Sequence, residues 1–237
     1  MKPSLVLIHG WGTSGYNSNL SGTQNYWEDR QELISYLKKD FNLFYFCLPG
    51  FYGVPEPDSE SFDMDNFVDY LNHWLKQQKI SPDYLLGYSF GGALALNHKV
   101  KTKSKAKLIL ISPALMRAYS GKSIFASRIK KLFPIFANQK LKAIYQSLFS
   151  KYYRQGSSFL RQSYDSIVRL DSRPLLKSVN QNEIILIYGQ NDTSTPPQLV
   201  ESYSLHKVHV IPGGGHEIGS THPPNIFNLI SHFESGN

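Results

Sequence analysis

The pentapeptide Gly87-Tyr88-Ser89-Phe90-Gly91 matches G-x-S-x-G, a pattern in which a serine occupies a sharp turn between a strand and a helix. An apolar run, Tyr84–Leu86, precedes the turn, and a run rich in glycine, alanine and leucine follows it. Glycines are needed beside such a serine because a Cβ there would collide with the neighbouring strand and helix. A serine hydroxyl exposed on this turn can attack an acyl carbon. We therefore predict that Ser89 is the nucleophile of a hydrolase, with a chance pentapeptide as the alternative.

Two further residues have the types that an activated serine requires. Serine is a poor nucleophile at its ordinary pKa, so a histidine must accept its proton and a carboxylate must orient that histidine. Asp192 follows the apolar run Ile184–Tyr188, and His216 follows the run Val208–Ile211 on a glycine-rich loop. The order Ser, Asp, His is the one expected for this turn. We predict that His216 is the base and Asp192 its partner; the alternatives are a turn aspartate and a surface histidine.

A fourth element would stabilise the negative oxygen of a tetrahedral intermediate. The segment His9-Gly10-Trp11-Gly12 follows the first apolar run and could present a backbone N–H to that oxygen. The second donor would be the N–H of the residue after the nucleophile. We therefore expect Trp11 and Phe90 to form the oxyanion hole. His9 is expected to be structural, and His209 and His222 are less suitable bases by position.

The elements that must position these residues follow from the hydrophobic pattern. Continuous apolar runs, typical of strands buried on both faces of a parallel sheet, predict six strands. They are Ser4–His9, Leu43–Cys47, Tyr84–Gly87, Lys107–Ile111, Ile184–Tyr188 and Lys207–Ile211. Helical patterns lie at Trp27–Lys39, Met64–Gln78, Ser89–Lys101, Pro197–Ser204 and Pro224–Phe233. This alternation predicts an α/β fold with a doubly wound, mostly parallel sheet of about six strands.

Two segments interrupt the alternation. Gly12–Gln24 is rich in glycine, serine and asparagine and predicts a long polar loop. Residues 114–177 have a helical, basic and aromatic pattern between two predicted strands. We interpret them as a helical cap inserted into a core formed by residues 1–113 and 178–237.

Charge is distributed unevenly along the 237 residues, whose formal net charge is +7. Residues 113–182 contain 13 Lys and Arg against two acidic residues, which gives +11, whereas the rest of the chain has 12 against 16. A basic block above a cleft would attract anionic partners; a solvated helical face is the alternative. Before this block, lysines occupy every second position at Lys99, Lys101, Lys103, Lys105 and Lys107, and we interpret them as a solvated helix end.

Composition limits the remaining possibilities. The single cysteine, Cys47, excludes an internal disulfide, gives no metal motif and is expected in the core. No run approaches the ~20 apolar residues of a membrane-spanning helix. The first apolar run is broken by His9-Gly10 and is too short for a signal peptide. We expect a soluble, cytoplasmic protein that needs no cofactor or metal and binds no nucleic acid.

These motifs together resemble the α/β-hydrolase superfamily over essentially the whole chain. The matching segments are His9-Gly10-Trp11-Gly12, Leu48-Pro49-Gly50-Phe51, Gly87–Gly92, Gly189–Asp192 and Gly214-Gly215-His216. The resemblance implies an esterase-like fold with Ser89, Asp192 and His216 as a catalytic triad. Two departures from the family pattern are expected: the sheet should lack the usual N-terminal antiparallel hairpin, and the loop Gly12–Gln24, longer than usual, should border the pocket.

The predicted activity is carboxylesterase-like hydrolysis of an ester or thioester of a small molecule through an acyl-enzyme on Ser89. A serine at this turn disfavours epoxide hydrolases and haloalkane dehalogenases, because related enzymes of those classes use aspartate there. Three alternatives stay open. The basic cap resembles that of esterases acting on acyl chains bound to an acidic carrier protein; related enzymes use the same triad to cleave carbon–carbon bonds; and a ligand-binding member could have a vestigial triad.

Overall fold

The computed structural model describes residues 2–12, 16, 26–116, 155–201 and 206–235. Its centre is one six-stranded sheet in the order β2-β1-β3-β4-β5-β6, with every neighbouring pair parallel. This confirms the predicted α/β architecture and the predicted strand number. The strands are β1 Ser4–Ile8, β2 Asn42–Phe46, β3 Tyr84–Tyr88, β4 Lys107–Ile111, β5 Ile184–Gly189 and β6 Val208–Ile211.

Helices cover both faces of the sheet. The α-helices are α1 Gln31–Asp40, α2 Met64–Gln77, α3 Phe90–Thr102, α4 Ser158–Ile167, α5 Gln198–Glu201, α6 Ile218–Thr221 and α7 Pro223–Ser235. Short 3-10 turns lie at Glu28–Arg30, Arg173–Ser178 and Gln181–Glu183. α2 begins at a capping box, in which Asp63 and Asn66 each accept a hydrogen bond from the other's main chain.

The inner strands β1, β3, β4 and β5 are mostly apolar because their side chains enter two different cores. Along β1, Leu5 and Leu7 pack with buried residues of α1 and α7, whereas Val6 and Ile8 pack with those of α2 and α3. All four are fully buried. Alternate residues of a strand point to opposite faces, so a sheet covered on both sides has no polar face.

The strand register brings the carboxyl ends together at one edge of the sheet. Ile111, the last residue of β4, pairs with Tyr88 of β3 and Ile187 of β5. Ile8 pairs with Gly87, and Gly189 pairs with Ile211. The loops that leave β1, β3, β5 and β6 therefore emerge close to each other, where binding sites of such sheets form.

One lysine departs from the prediction of a solvated helix end. Lys99 is 6% exposed. Its Nζ donates to the carbonyls of Ser104 and Ala106 at 3.0 and 2.9 Å and lies 3.6 Å from a carboxylate oxygen of Glu183. The interpretation is wrong for this residue because its ammonium binds main-chain oxygens beyond the end of α3, which sequence alternation does not reveal.

The predicted cap is described only in part. Residues 117–154, which contain most of its basic side chains, lie outside the described residues, and so does the loop Gly12–Gln24 apart from Gly12 and Tyr16. The helix α4 belongs to the described part of the predicted cap and contacts the predicted core: the Ser163 hydroxyl accepts a hydrogen bond of 2.8 Å from the Phe62 N–H. The division into core and cap stays a prediction. Within the described ranges, no helix has the length and apolar character needed to cross a membrane.

Candidate active site

Ser89 lies on the turn between β3 and α3, with φ of 52° and ψ of −116°. This conformation is strained for a residue with a side chain and is typical of a nucleophile turn. The neighbouring glycines allow it: a Cβ on Gly87 would lie 2.3 Å from the Gly91 carbonyl oxygen, and a Cβ on Gly91 would lie 2.2 Å from that of Ile8. The turn is fixed by a 3.0 Å hydrogen bond from the Ser89 N–H to the Ile111 carbonyl.

His216 approaches this serine from the loop after β6. Its Nε2 lies 3.1 Å from the Ser89 Oγ, and its Nδ1 lies 2.8 Å from the Asp192 Oδ2. The loop is tied to the Asp192 loop by a 2.7 Å hydrogen bond from the Asn191 N–H to the Gly214 carbonyl. The three side chains singled out in the sequence are thus brought into one hydrogen-bonded chain.

Asp192 is held as a carboxylate in a buried position, with only 3% of its surface exposed. Its Oδ1 accepts from the N–H groups of Ser194 and Thr195 at 2.9 and 2.8 Å, and its Oδ2 accepts from the Thr195 hydroxyl at 2.7 Å. Burial opposes ionisation, but the hydrogen bonds from His216 and Thr195 outweigh it and hold the pKa of Asp192 below its ordinary value. An ionised Asp192 favours the His216 tautomer with the proton on Nδ1, which leaves the Nε2 lone pair facing Ser89.

Thr195 is a participant that the sequence analysis missed. Its hydroxyl lies 3.3 Å from the His216 Nδ1 and 3.1 Å from the Ser112 carbonyl, besides its contact with Asp192. Asp192 was predicted as the partner of His216, with a turn aspartate as the alternative, and no role was considered for Thr195. An aspartate followed three residues later by a threonine was the available signal, because short polar side chains bind nearby main-chain groups in such turns.

Trp11 and Phe90, the expected oxyanion-hole residues, lie side by side. Their rings meet edge to face with centroids 5.5 Å apart, and Trp11 also contacts Tyr164 of α4 at 5.7 Å. The turn holding Trp11 approaches the nucleophile closely, since a Cβ on Gly10 would lie 3.0 Å from the Ser89 Cβ. The two residues are therefore adjacent at the serine, while their roles as N–H donors stay a prediction.

His9 is structural, as expected. It is 2% exposed; its Nδ1 donates to the Gly10 carbonyl at 2.8 Å, and its Nε2 accepts from the Leu48 N–H at 3.0 Å. Burial lowers the pKa of His9 to about 4, which keeps the ring neutral. Cys47 lies just beyond β2, half-buried, and burial raises the pKa of its thiol to about 12.

No metal centre is found among the residues that the structure describes. Within those ranges, no group of three or more histidine, cysteine, aspartate or glutamate side chains is arranged to hold a metal ion.

A parallel sheet with a strained serine at the end of β3 and a histidine–aspartate pair at the ends of β6 and β5 defines a recognisable class of protein. The family described as "Alpha/beta hydrolase family" matches residues 5–227, and the chain belongs to this family. The resemblance inferred from the motifs is thereby confirmed.

Curated relatives include proteins named as esterases. A Mycoplasma genitalium protein named "Putative esterase/lipase 2" is 26% identical, and the alignment covers 98% of this chain and 89% of that protein. A pimeloyl-(acyl-carrier protein) methyl ester esterase of Aeromonas hydrophila is 24% identical, with 98% of this chain and 95% of that protein covered. These names support the predicted carboxylesterase-like class of hydrolase.

Solved structures share the fold. The chain matches a meta-cleavage product hydrolase from Pseudomonas fluorescens with a TM-score of 0.67, at 18% identity over 99% of this chain and 92% of that one. A likeness at this level of identity concerns the fold alone. It does not distinguish ester hydrolysis from cleavage of a carbon–carbon bond.

Proposed function

We propose that the protein is a serine hydrolase that cleaves a carboxylic ester or thioester through an acyl-enzyme on Ser89. The observation that supports this most directly is the unbroken hydrogen-bonded chain from the Ser89 Oγ through the His216 imidazole to the Asp192 carboxylate. A serine, an imidazole and a buried carboxylate in this order form the arrangement that activates a hydroxyl nucleophile.

In the proposed reaction, the Ser89 Oγ attacks the carbonyl carbon of the substrate while its proton passes to the His216 Nε2. The tetrahedral intermediate then collapses, the bond to the alcohol or thiol breaks, and His216 returns the proton to that leaving group. Water completes the cycle: His216 takes one of its protons, the hydroxide oxygen attacks the acyl carbon, and Ser89 leaves as the regenerated hydroxyl. Asp192 stays ionised throughout and stabilises the imidazolium.

The oxyanion would be stabilised by the N–H groups of Trp11 and Phe90. Phe90 is the first residue of α3, so its N–H lies at the positive end of the helix dipole. Removal of one such donor typically costs about 3 kcal/mol of transition-state stabilisation. This assignment rests on the position of the two residues beside Ser89.

A panel of p-nitrophenyl esters of increasing acyl length tests the proposal and defines the acyl preference. We expect turnover by the native protein and its loss in Ser89→Ala. Ser35→Ala, an exposed hydroxyl on α1, is the matched control and should retain full activity. Equal turnover by Ser89→Ala and the native protein would refute a serine mechanism, and ligand binding without turnover by either would favour a vestigial triad.

A second candidate is an esterase for acyl chains bound to an acidic carrier protein. Two observations favour it: the +11 charge of residues 113–182, and relatives in Aeromonas hydrophila and Neisseria meningitidis that are named pimeloyl-(acyl-carrier protein) methyl ester esterases. A cationic surface near the site would speed association with an acidic carrier.

Charge reversal distinguishes this candidate from a general esterase. In Lys130→Glu combined with Lys131→Glu, we expect kcat/KM for a carrier-bound ester at low salt to fall about 10-fold or more. The p-nitrophenyl ester should be unaffected. The matched control reverses Lys38 and Lys39 at the end of α1. Carrier activity that survives reversal of Lys130 and Lys131 at low salt would rule out this candidate.

A further inference from the structure

A cluster of side chains next to the candidate site joins β3, the strand that precedes Ser89, to the loop after β6 that contains His216, called here the histidine loop. Tyr88, the residue before Ser89, is fully buried. Its hydroxyl donates to the His216 carbonyl at 2.7 Å and accepts from the Gly219 N–H at 3.2 Å. One phenol oxygen thus binds the loop at its histidine and again within α6, three residues later.

The phenol is itself held in place by Arg30. The Arg30 guanidinium carbon lies 4.7 Å from the centre of the Tyr88 ring and 4.1 Å from that of Tyr26. Arg30 is 5% exposed and donates to the Tyr26 carbonyl at 2.9 Å. Stacking of a cation on two rings stabilises all three groups and fixes the direction of the Tyr88 ring.

The chain after His216 is shaped around this pair. Glu217, the next residue, forms an ion pair with the Arg30 guanidinium. A Cβ on Gly219 would lie 2.8 Å from the Tyr88 Cε2 and 3.2 Å from the Arg30 Cδ, so only glycine allows this approach. Burial raises the pKa of Tyr88 well above its ordinary value, so its hydroxyl keeps the proton that it donates.

We propose that Tyr88 is a positioning residue for His216: its hydroxyl fastens the main chain of the histidine loop to the strand that ends at Ser89. The inference rests on the proposed function, since it assigns a role in placing the base of that reaction. The positions of both atoms in the Ser89–His216 contact then depend on β3: Ser89 follows this strand directly, and His216 is hydrogen-bonded to its last residue, Tyr88. A displacement of about 1 Å in such a contact can cost on the order of 100-fold in rate.

Tyr88→Phe tests the proposal, because it removes the hydroxyl and keeps the ring. We expect kcat per titrated Ser89 to fall about 10-fold or more, with KM within about 2-fold, as a misplaced base slows chemistry rather than binding. Tyr84→Phe is the matched control: it removes a hydroxyl from the same buried strand at the opposite end and should leave kcat unchanged.

The outcome separates positioning from a merely structural role. A structural role would reduce the fraction of protein that a fluorophosphonate labels at Ser89 and leave turnover per labelled site unchanged, which would overturn the proposal. If Tyr88→Phe shows no cooperative thermal transition, and so does not fold, the same assay is done with Arg30→Lys. Lysine at this position keeps the positive charge but cannot stack as a planar group on the Tyr88 ring. A kcat loss without a KM change in Arg30→Lys then supports the proposal, and unchanged kcat overturns it.

A readout without turnover keeps the test independent of the proposed function. If the native protein is not labelled at Ser89, the proposed function fails, and hydrogen exchange at the Gly219 amide then tests the contact itself. We expect this amide to exchange at least about 10-fold faster in Tyr88→Phe than in the native protein, because it loses its acceptor. Equal exchange rates would overturn the inference.

Discussion

Replacing Asp192 by asparagine should inactivate the protein while leaving its fold intact. The two oxygens of Asp192 have different partners: Oδ1 accepts from the N–H groups of Ser194 and Thr195, and Oδ2 faces His216 and the Thr195 hydroxyl. An asparagine at this position keeps its carbonyl oxygen on the two N–H groups, because its amide hydrogens would repel them. Its NH2 group must therefore face His216.

This orientation reverses the tautomer of the imidazole. The His216 Nδ1 must then accept a hydrogen bond, so the proton moves to Nε2 and points at the Ser89 Oγ. A protonated Nε2 cannot accept the serine proton. The loss expected from the wrong tautomer is about 10⁴-fold in kcat, which corresponds to about 5.5 kcal/mol of transition-state stabilisation.

The assay compares kcat/KM for a p-nitrophenyl ester and the rate of fluorophosphonate labelling in Asp192→Asn and the native protein. Asp83→Asn is the matched control, because Asp83 also accepts from a main-chain N–H and a hydroxyl, both of Ser4, but lies before β3 at the opposite end of the sheet. The control should retain full activity. A rate for Asp192→Asn within about 10-fold of the native rate would refute the tautomer argument.

Three further predictions concern packing, pH and the Asp192 loop. Gly91→Ala should lower the free energy of unfolding by about 3 kcal/mol or more, because its Cβ would overlap β1, whereas Gly215→Ala, with open space, should unfold in urea like the native protein. Burial lowers the pKa of His9 and of His98 to about 4. Since the unfolded chain binds these protons near the ordinary pKa, the free energy of unfolding, measured in urea, should fall by about 2 kcal/mol per histidine between pH 7 and pH 5. In His98→Leu this fall should be smaller by about 2 kcal/mol. The same fall in the variant and in the native protein would contradict this prediction. Thr195→Val should reduce kcat/KM about 10-fold, while Thr195→Ser retains activity; equal values for the two variants would argue against a role for the hydroxyl.

Much of the fold and the site could be predicted because the relevant signals are local in sequence. The strands are mostly apolar runs, and Ser89, Asp192 and His216 each lie in the loop or turn that follows one of them. Parallel strands align their carboxyl ends, so three residues that follow strands were expected at one edge of the sheet. Chain order and residue type then assigned the roles.

The supporting contacts could not be predicted, because they join residues that are remote in sequence and ordinary in type. Tyr88 meets His216 across 128 positions, and Arg30 meets Glu217 across 187. Lys99 shows the same limit, since its buried ammonium is indistinguishable in sequence from the solvated lysines that follow it. Only the packed structure determines which polar groups face each other.

Mapping of a fluorophosphonate adduct tests whether Ser89 is the nucleophile. We expect one adduct per chain in the native protein, located on Ser89 by peptide mass spectrometry, and no adduct in Ser89→Ala. An unlabelled native protein, or an adduct on any other residue, would contradict this expectation.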